Sequence, residues 1–265
     1  MTFLTTLSPH PFDPTHRFTT SPLLPPLLLA CIRITISVYI FTYLLYRIAY
    51  SAISDGSLST RQSFSYFTNI TYWSLGFYFG VAGLHTLLYA LRGRRANWLK
   101  GGWAVAHAVW WTSVVTFPFL VTIVYWGILA ADDSPFRTQV SAYSNISAHL
   151  LNSVFALFEI LLTRAAVPSW THLPFLILFL AGYLCVAYIT HATQGFYTYG
   201  FLDPKTGNGM VAAYCVGIAV AICVVWAVVA GIVWVRVWLT ERVLGLEGKF
   251  SKVRVEGRVE KGEVR

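Results

Sequence analysis

Charge is what this chain has least of. Only 11% of its 265 residues are Asp, Glu, Lys or Arg, while 56% are hydrophobic. Soluble domains carry about 25% charged residues, so an ordinary water-facing globule is excluded. Cysteine is sparse as well. Cys31, Cys185, Cys215 and Cys223 each fall inside an apolar run, and no two stand at the spacing of a zinc or redox motif. They read as small packing residues. No close His/Asp spacing offers the roughly three protein ligands of a zinc hydrolase, so no metal or other cofactor is expected. The N-terminus lacks the compact basic start, apolar run and small-residue cleavage site of a signal peptide. No internal repeat is visible.

Long apolar stretches are what the chain does have. Six of them, near 27–50, 64–91, 103–131, 143–163, 173–194 and 209–238, reach the roughly 20 residues a helix needs to cross hydrocarbon. In lipid every backbone N–H and C=O must be paired, which leaves helices or closed barrels, and barrel strands are only about 10 residues long. The expectation is an all-α polytopic membrane protein, with six transmembrane helices in a compact bundle. Gly76, Gly80 and Gly83 in span two allow close helix approach. Trp98, Trp103, Trp170, Tyr197 and Trp238 stand at span ends as interfacial anchors. Residues 1–26, with prolines at 9, 11, 14, 22, 25 and 26, are expected to be a disordered tail. Pro25-Pro26 suits the start of a helix. Residues 27–238 form the membrane domain, and 239–265 a polar, basic, mobile tail.

Basic residues set the orientation. The N-terminal tail, the loops after spans two and four, and the C-terminal tail carry Arg17, Arg92, Arg94, Arg95, Lys100, Arg164, Arg242, Lys249, Lys252, Arg254, Arg258, Lys261 and Arg265. The other loops carry only Arg61, Arg137 and Lys205. Thirteen against three places both termini in the cytosol. The net charge of +8 therefore reflects topology, and no nucleic-acid motif accompanies it. The endoplasmic reticulum or another endomembrane is the expected location, with the plasma membrane as the other choice.

In that topology spans two and four run inward from the outer face. Thr68 is the fifth residue of span two and His149 the seventh of span four, roughly 6 to 9 Å below the span starts. His191 lies near the outer end of span five, so all three share the extracytoplasmic half. An ionisable group within a span faces the bundle interior or a wet cavity. His149 is thus a candidate general base, or a helix–helix hydrogen bond. Asn145 and Asn152 share its helical face; they can orient the imidazole, bind an oxyanion, or serve as inert glue. Thr68 is a candidate nucleophile if a base is within reach, although threonines in membrane helices ordinarily bond back to a carbonyl one turn earlier. His191 suits a supporting role. Arg33 and Glu159 both fall toward the cytosolic side and read as a structural pair. Asp132-Asp133, His85 and His107 stand at span ends and read as solvated groups. Asn69-Ile-Thr71 and Asn145-Ile-Ser147 match the glycosylation sequon but sit too deep to be acceptors.

Three patches carry a family likeness: Ser65-Tyr66-Phe67-Thr68, then Asn145-Ile-Ser-Ala-His149 with Glu159 ten residues on, then His191 with Gly195, Tyr197, Tyr199 and Phe201-Leu202. With their order and six-span setting, the chain resembles the androgen-induced gene 1 family from about Phe64 to the end of span six. The resemblance implies a six-helix bundle with cytosolic ends. It also implies hydrolysis of fatty acid esters of hydroxy fatty acids, with Thr68 as nucleophile and His149 as the histidine. Two departures stand out. Gly200 replaces a proline usual in the family, and both tails are longer.

A threonine-dependent lipid esterase, acting on a lipid within the bilayer and using no nucleic acid, is therefore the expectation. A haem-binding six-span cytochrome is the alternative, because His85 and His107 lie near one face and His149 and His191 near the other. A transporter or non-catalytic lipid-binding protein is a third class. The lack of inverted repeats and of helices broken by Gly or Pro speaks against a transporter.

Overall fold

The computed structural model describes residues 13, 15–54, 56–93, 102–130, 136–247 and 250. Arg94, Arg95, Trp98 and Lys100, Asp132-Asp133, the prolines at 9, 11 and 14, and the tail from 251 on lie outside the described residues. Among the described residues the protein is helical, with no strand. Six helices are long and apolar enough to cross a membrane: Pro26–Ser54, Phe67–Arg92, Gly102–Leu129, Gln139–Leu162, Trp170–Gln194 and Asn208–Val243. They are spans one to six below. Span six runs five residues beyond its expected end. A short helix, Ser57–Ser63, buries none of its residues and joins spans one and two.

Spans one and two form the tightest pair, and the glycines explain why. A Cβ on Gly76 would stand 2.9 Å from Ile40 Cγ2, and one on Gly83 would stand 2.8 Å from Ile34 Cγ1 and 3.2 Å from the Ile34 backbone nitrogen. Ser37 adds a hydrogen bond to the Gly76 carbonyl at 2.9 Å. Gly83→Val is expected to cost about 1–3 kcal/mol through forced separation, because the opposing backbone cannot rotate away. A lower melting temperature in detergent would register it; an unshifted one would contradict the close approach.

The main core lies among spans one to four and one face of span six, with Ile40, Tyr43, Tyr72, Leu75, Phe79, Trp111, Val115 and Val229 in it. Span three departs from the unbroken helix expected. It is interrupted between Val114 and Phe117 and resumes with Pro118 in the first turn. Proline has no N–H, and its ring crowds the carbonyl four residues back, here that of Val114. Thr116 covers the break by donating to the Thr112 carbonyl at 2.6 Å.

Both described chain ends meet at one end of the bundle. There Arg33 and Glu159, each almost fully buried, form a two-pronged ion pair. Arg33 also donates to Thr86 Oγ1 at 2.6 Å and to the Phe18 carbonyl at 2.8 Å, and Tyr78 donates to Glu159 Oε1 at 2.8 Å. One cluster thus ties spans one, two and four to the N-terminal segment.

That segment corrects the expectation of a disordered tail through residue 26. From Asp13 onward the described residues are folded against the bundle, and Thr19, Thr20 and Ser21 are buried. Composition hid this because the segment is held by polar contacts. Arg17 pairs with Glu241 at 2.5 Å, and the Arg164 amide donates to the Thr20 carbonyl at 3.0 Å. His16 lies on Tyr89, and Phe18 sits edge-on to His107 and Trp111. Under this cover His85 and His107 are buried, not solvated.

Candidate active site

At the opposite end, span two starts abruptly. Tyr66 is extended, and the helix begins at Phe67 with no side-chain cap from Tyr66. The first N–H groups of a helix have no partner within it, and here two phenols meet them. Tyr183 faces the Phe67 amide, and Tyr199 faces both the amide and the hydroxyl of Thr68. Tyr183 is itself fixed by donating to the Ser65 carbonyl at 3.1 Å and by a hydrogen bond with Thr198 Oγ1 at 3.0 Å. The Tyr199 ring stacks on Phe201 and meets Tyr66 edge-on. Burial, opposed by its contacts with Thr68, pushes the Tyr199 phenol above its ordinary pKa, so it stays protonated as a donor. Thr68 is the second helical residue, so the residue four before it, Phe64, offers no helical carbonyl for back-bonding. Thr71 shows the ordinary behaviour, bonding to the carbonyls of Phe67 and Thr68.

His149 sits in a π-helical turn, Ser147–Leu151. Such single wide turns recur at functional sites. Thr122 in span three donates to the His149 carbonyl at 2.6 Å and contacts Ser153 Oγ at 2.7 Å. A second π turn, Tyr125–Leu129, belongs to span three. Its Tyr125 ring stacks on the imidazole, centroids 3.6 Å apart and 5° from parallel. Among the described residues His149 Nδ1 is buried with no hydrogen-bond partner.

Thr68 and His149 line one cavity of about 430 Å³, together with Asn145, Tyr199, Tyr125 and Arg47. Beside it runs an apolar cleft of about 230 Å³ between spans three, five and six. Thr68, Tyr125, Leu129 and Tyr199 border both spaces. The helical registers differ from expectation. Thr68 is second in its span and His149 eleventh, because span four starts at Gln139 behind a Thr138/Ser141 capping box. Residues Gln139–Ile146 bury nothing, so these first turns stand outside the tight bundle and bring His149 to the level of Thr68.

Asn152 and His191 do not line this cavity, whereas Asn69 does. Asn152 is fully buried, and its amide donates to the Ala148 carbonyl at 3.3 Å. His191 stacks on Tyr197, centroids 3.8 Å apart. Asn69 of the first sequon spends its amide on the Ser63 carbonyl at 2.6 Å. Among the described residues no group of three or more His, Cys, Asp or Glu is placed to hold a metal. Sequence reasoning missed Tyr125 and Arg47. Tyr125 carried no signal, but Arg47, a charge inside an apolar run with no acidic residue in it, did.

A profile described as FAR-17a/AIG1-like protein matches residues 29–231, most of the chain. The chain belongs to the FAR-17a/AIG1-like family. Comparison with curated proteins and with solved structures returns no match. The FAR-17a/AIG1-like region contains both Thr68 and His149, the whole cavity around them, and the Arg33–Glu159 pair. It is an integral membrane protein of this family with six apolar spans.

Proposed function

We propose that the protein is an intramembrane lipid ester hydrolase with Thr68 as nucleophile and His149 as base. Its substrates are fatty acid esters of hydroxy fatty acids or similar acyl esters. The site opens to the extracytoplasmic side, as the basic residues of the loops and tails indicate. The observation that carries this reading is the position of Thr68 on the border between a polar cavity and an apolar cleft. An ester whose acyl chain fills the cleft presents its carbonyl at that border.

His149 takes the Thr68 proton as Oγ attacks the carbonyl carbon, and the carbonyl electron pair moves to oxygen. Tyr199 and Asn145, which line the cavity, and the positive end of span two stabilise that oxyanion. The tetrahedral adduct collapses, its alkoxide takes the proton from His149, and the alcohol product leaves. Water from the polar cavity, deprotonated by His149, attacks the threonyl ester, and the adduct collapses to the free acid as Thr68 Oγ takes the proton back from His149. Stacking on Tyr125 fixes the ring plane through both steps.

His149→Ala is expected to lower hydrolysis by about 10²–10⁴-fold, the usual contribution of a positioned base. The assay is ester turnover in membranes at matched protein abundance. Undiminished turnover would remove His149 from the mechanism, and an inactive but folded wild type would reject the hydrolase reading.

A further inference from the structure

Cations inside the spans are expensive and are normally held by a partner. Three arginines lie more than one turn from a span end, and two of them are held so. Arg33 is held by Glu159, and Arg236 donates to the carbonyls of Thr163 and Ala165. Arg47 differs. It lies in span one, seven residues before Ser54, and so about 10 Å down the helix from that end. Its guanidinium lies near the Tyr50 ring, 5.8 Å from the centroid, and beside the Tyr43 phenol. Among the described residues no carboxylate pairs with it. Yet it lines the cavity that holds Thr68 and His149, and no other lining residue bears a fixed charge. Among the described residues the site therefore has one net positive charge and no protein anion to meet it.

We propose that Arg47 is a specificity-determining residue that binds a carboxylate on the substrate itself. It selects acyl esters whose alcohol half carries a free acid over neutral esters. The inference rests on the hydrolase reading and adds the charge of the substrate to it. With the acyl chain in the apolar cleft and the ester at Thr68, the alcohol half occupies the polar cavity, where Arg47 waits. A planar guanidinium matches a carboxylate with two parallel hydrogen bonds.

The test pairs the palmitoyl ester of a hydroxystearic acid with the methyl ester of the same compound. Wild type is expected to prefer the free acid by about 10- to 100-fold in kcat/KM, the range of a charged hydrogen-bonded contact, mostly through KM. Arg47→Gln is expected to bring that ratio close to one, and Arg47→Lys to keep part of it. A wild-type ratio near one overturns the proposal. So does an Arg47→Gln variant that loses both activities equally, which would mark a structural arginine or one bound to lipid phosphate. A second readout does not need turnover: oleate, but not methyl oleate, raises the melting temperature of wild type and not of Arg47→Gln. If no ester is hydrolysed but this shift depends on Arg47, the hydrolase reading fails and the carboxylate site stands. If hydrolysis is normal and oleate stabilises both forms alike, the assignment of Arg47 fails alone.

Discussion

Thr68→Ala is expected to bring ester hydrolysis to background, a fall of about 10⁴-fold or more in kcat, as when an acyl-transfer nucleophile is deleted. The size of the effect follows from the reaction. On the proposed mechanism, without Oγ there is no acyl-enzyme, and water activated by His149 has to attack the lipid ester directly, without the intermediate that splits the reaction into two easier steps. The substitution itself is mild, because Thr68 stands in the first turn of span two and is not part of the main core. Membrane abundance and melting temperature should therefore stay near wild type, which separates lost chemistry from lost fold. Thr68→Ser restores the hydroxyl and should recover part of the rate. Wild-type turnover by the alanine variant would end the nucleophile assignment whatever His149 does.

Glu159→Ala is expected to have the largest effect on stability, about 3–5 kcal/mol. It leaves the Arg33 guanidinium buried at the centre of four elements with Thr86 and the Phe18 carbonyl as its remaining partners. Tyr78 loses its acceptor in the same stroke. The loss should appear as reduced abundance in membranes and an early melt in detergent. Replacing both partners, as Arg33→Met with Glu159→Met, removes the stranded charge and should recover much of the loss. A double variant no better than the single would show that the carboxylate acts through Tyr78 and not through the ion pair.

The spans were legible because length and apolarity together leave the backbone no choice but helix. The Arg33–Glu159 contact was legible for a related reason: two opposite charges at similar depth have few other places to go. Thr68 and His149 could be placed at one end by counting, but the count along each helix was off, because the opening turns of span four bury nothing and set no register. What brings the two to one cavity is tertiary. The loop after span five folds back to set Tyr199 against Thr68, and paired π turns set Tyr125 on His149. Neither feature has a periodicity to read. The N-terminal segment failed for the opposite reason. Its prolines and polar residues look like a tail, while its burial depends on partners far away in sequence, Arg164 and Glu241.

That segment also has a consequence for how the protein is made. Arg17 is synthesised 224 residues before Glu241, its partner at the far end of span six. That ion pair therefore has no acceptor until the last span has left the ribosome. While the first five helices are being inserted, the segment has Tyr89, His107 and Trp111 to rest on, but Arg17 and Arg164 both wait for the same carboxylate. The first described arginine to be translated is thus paired only as synthesis closes.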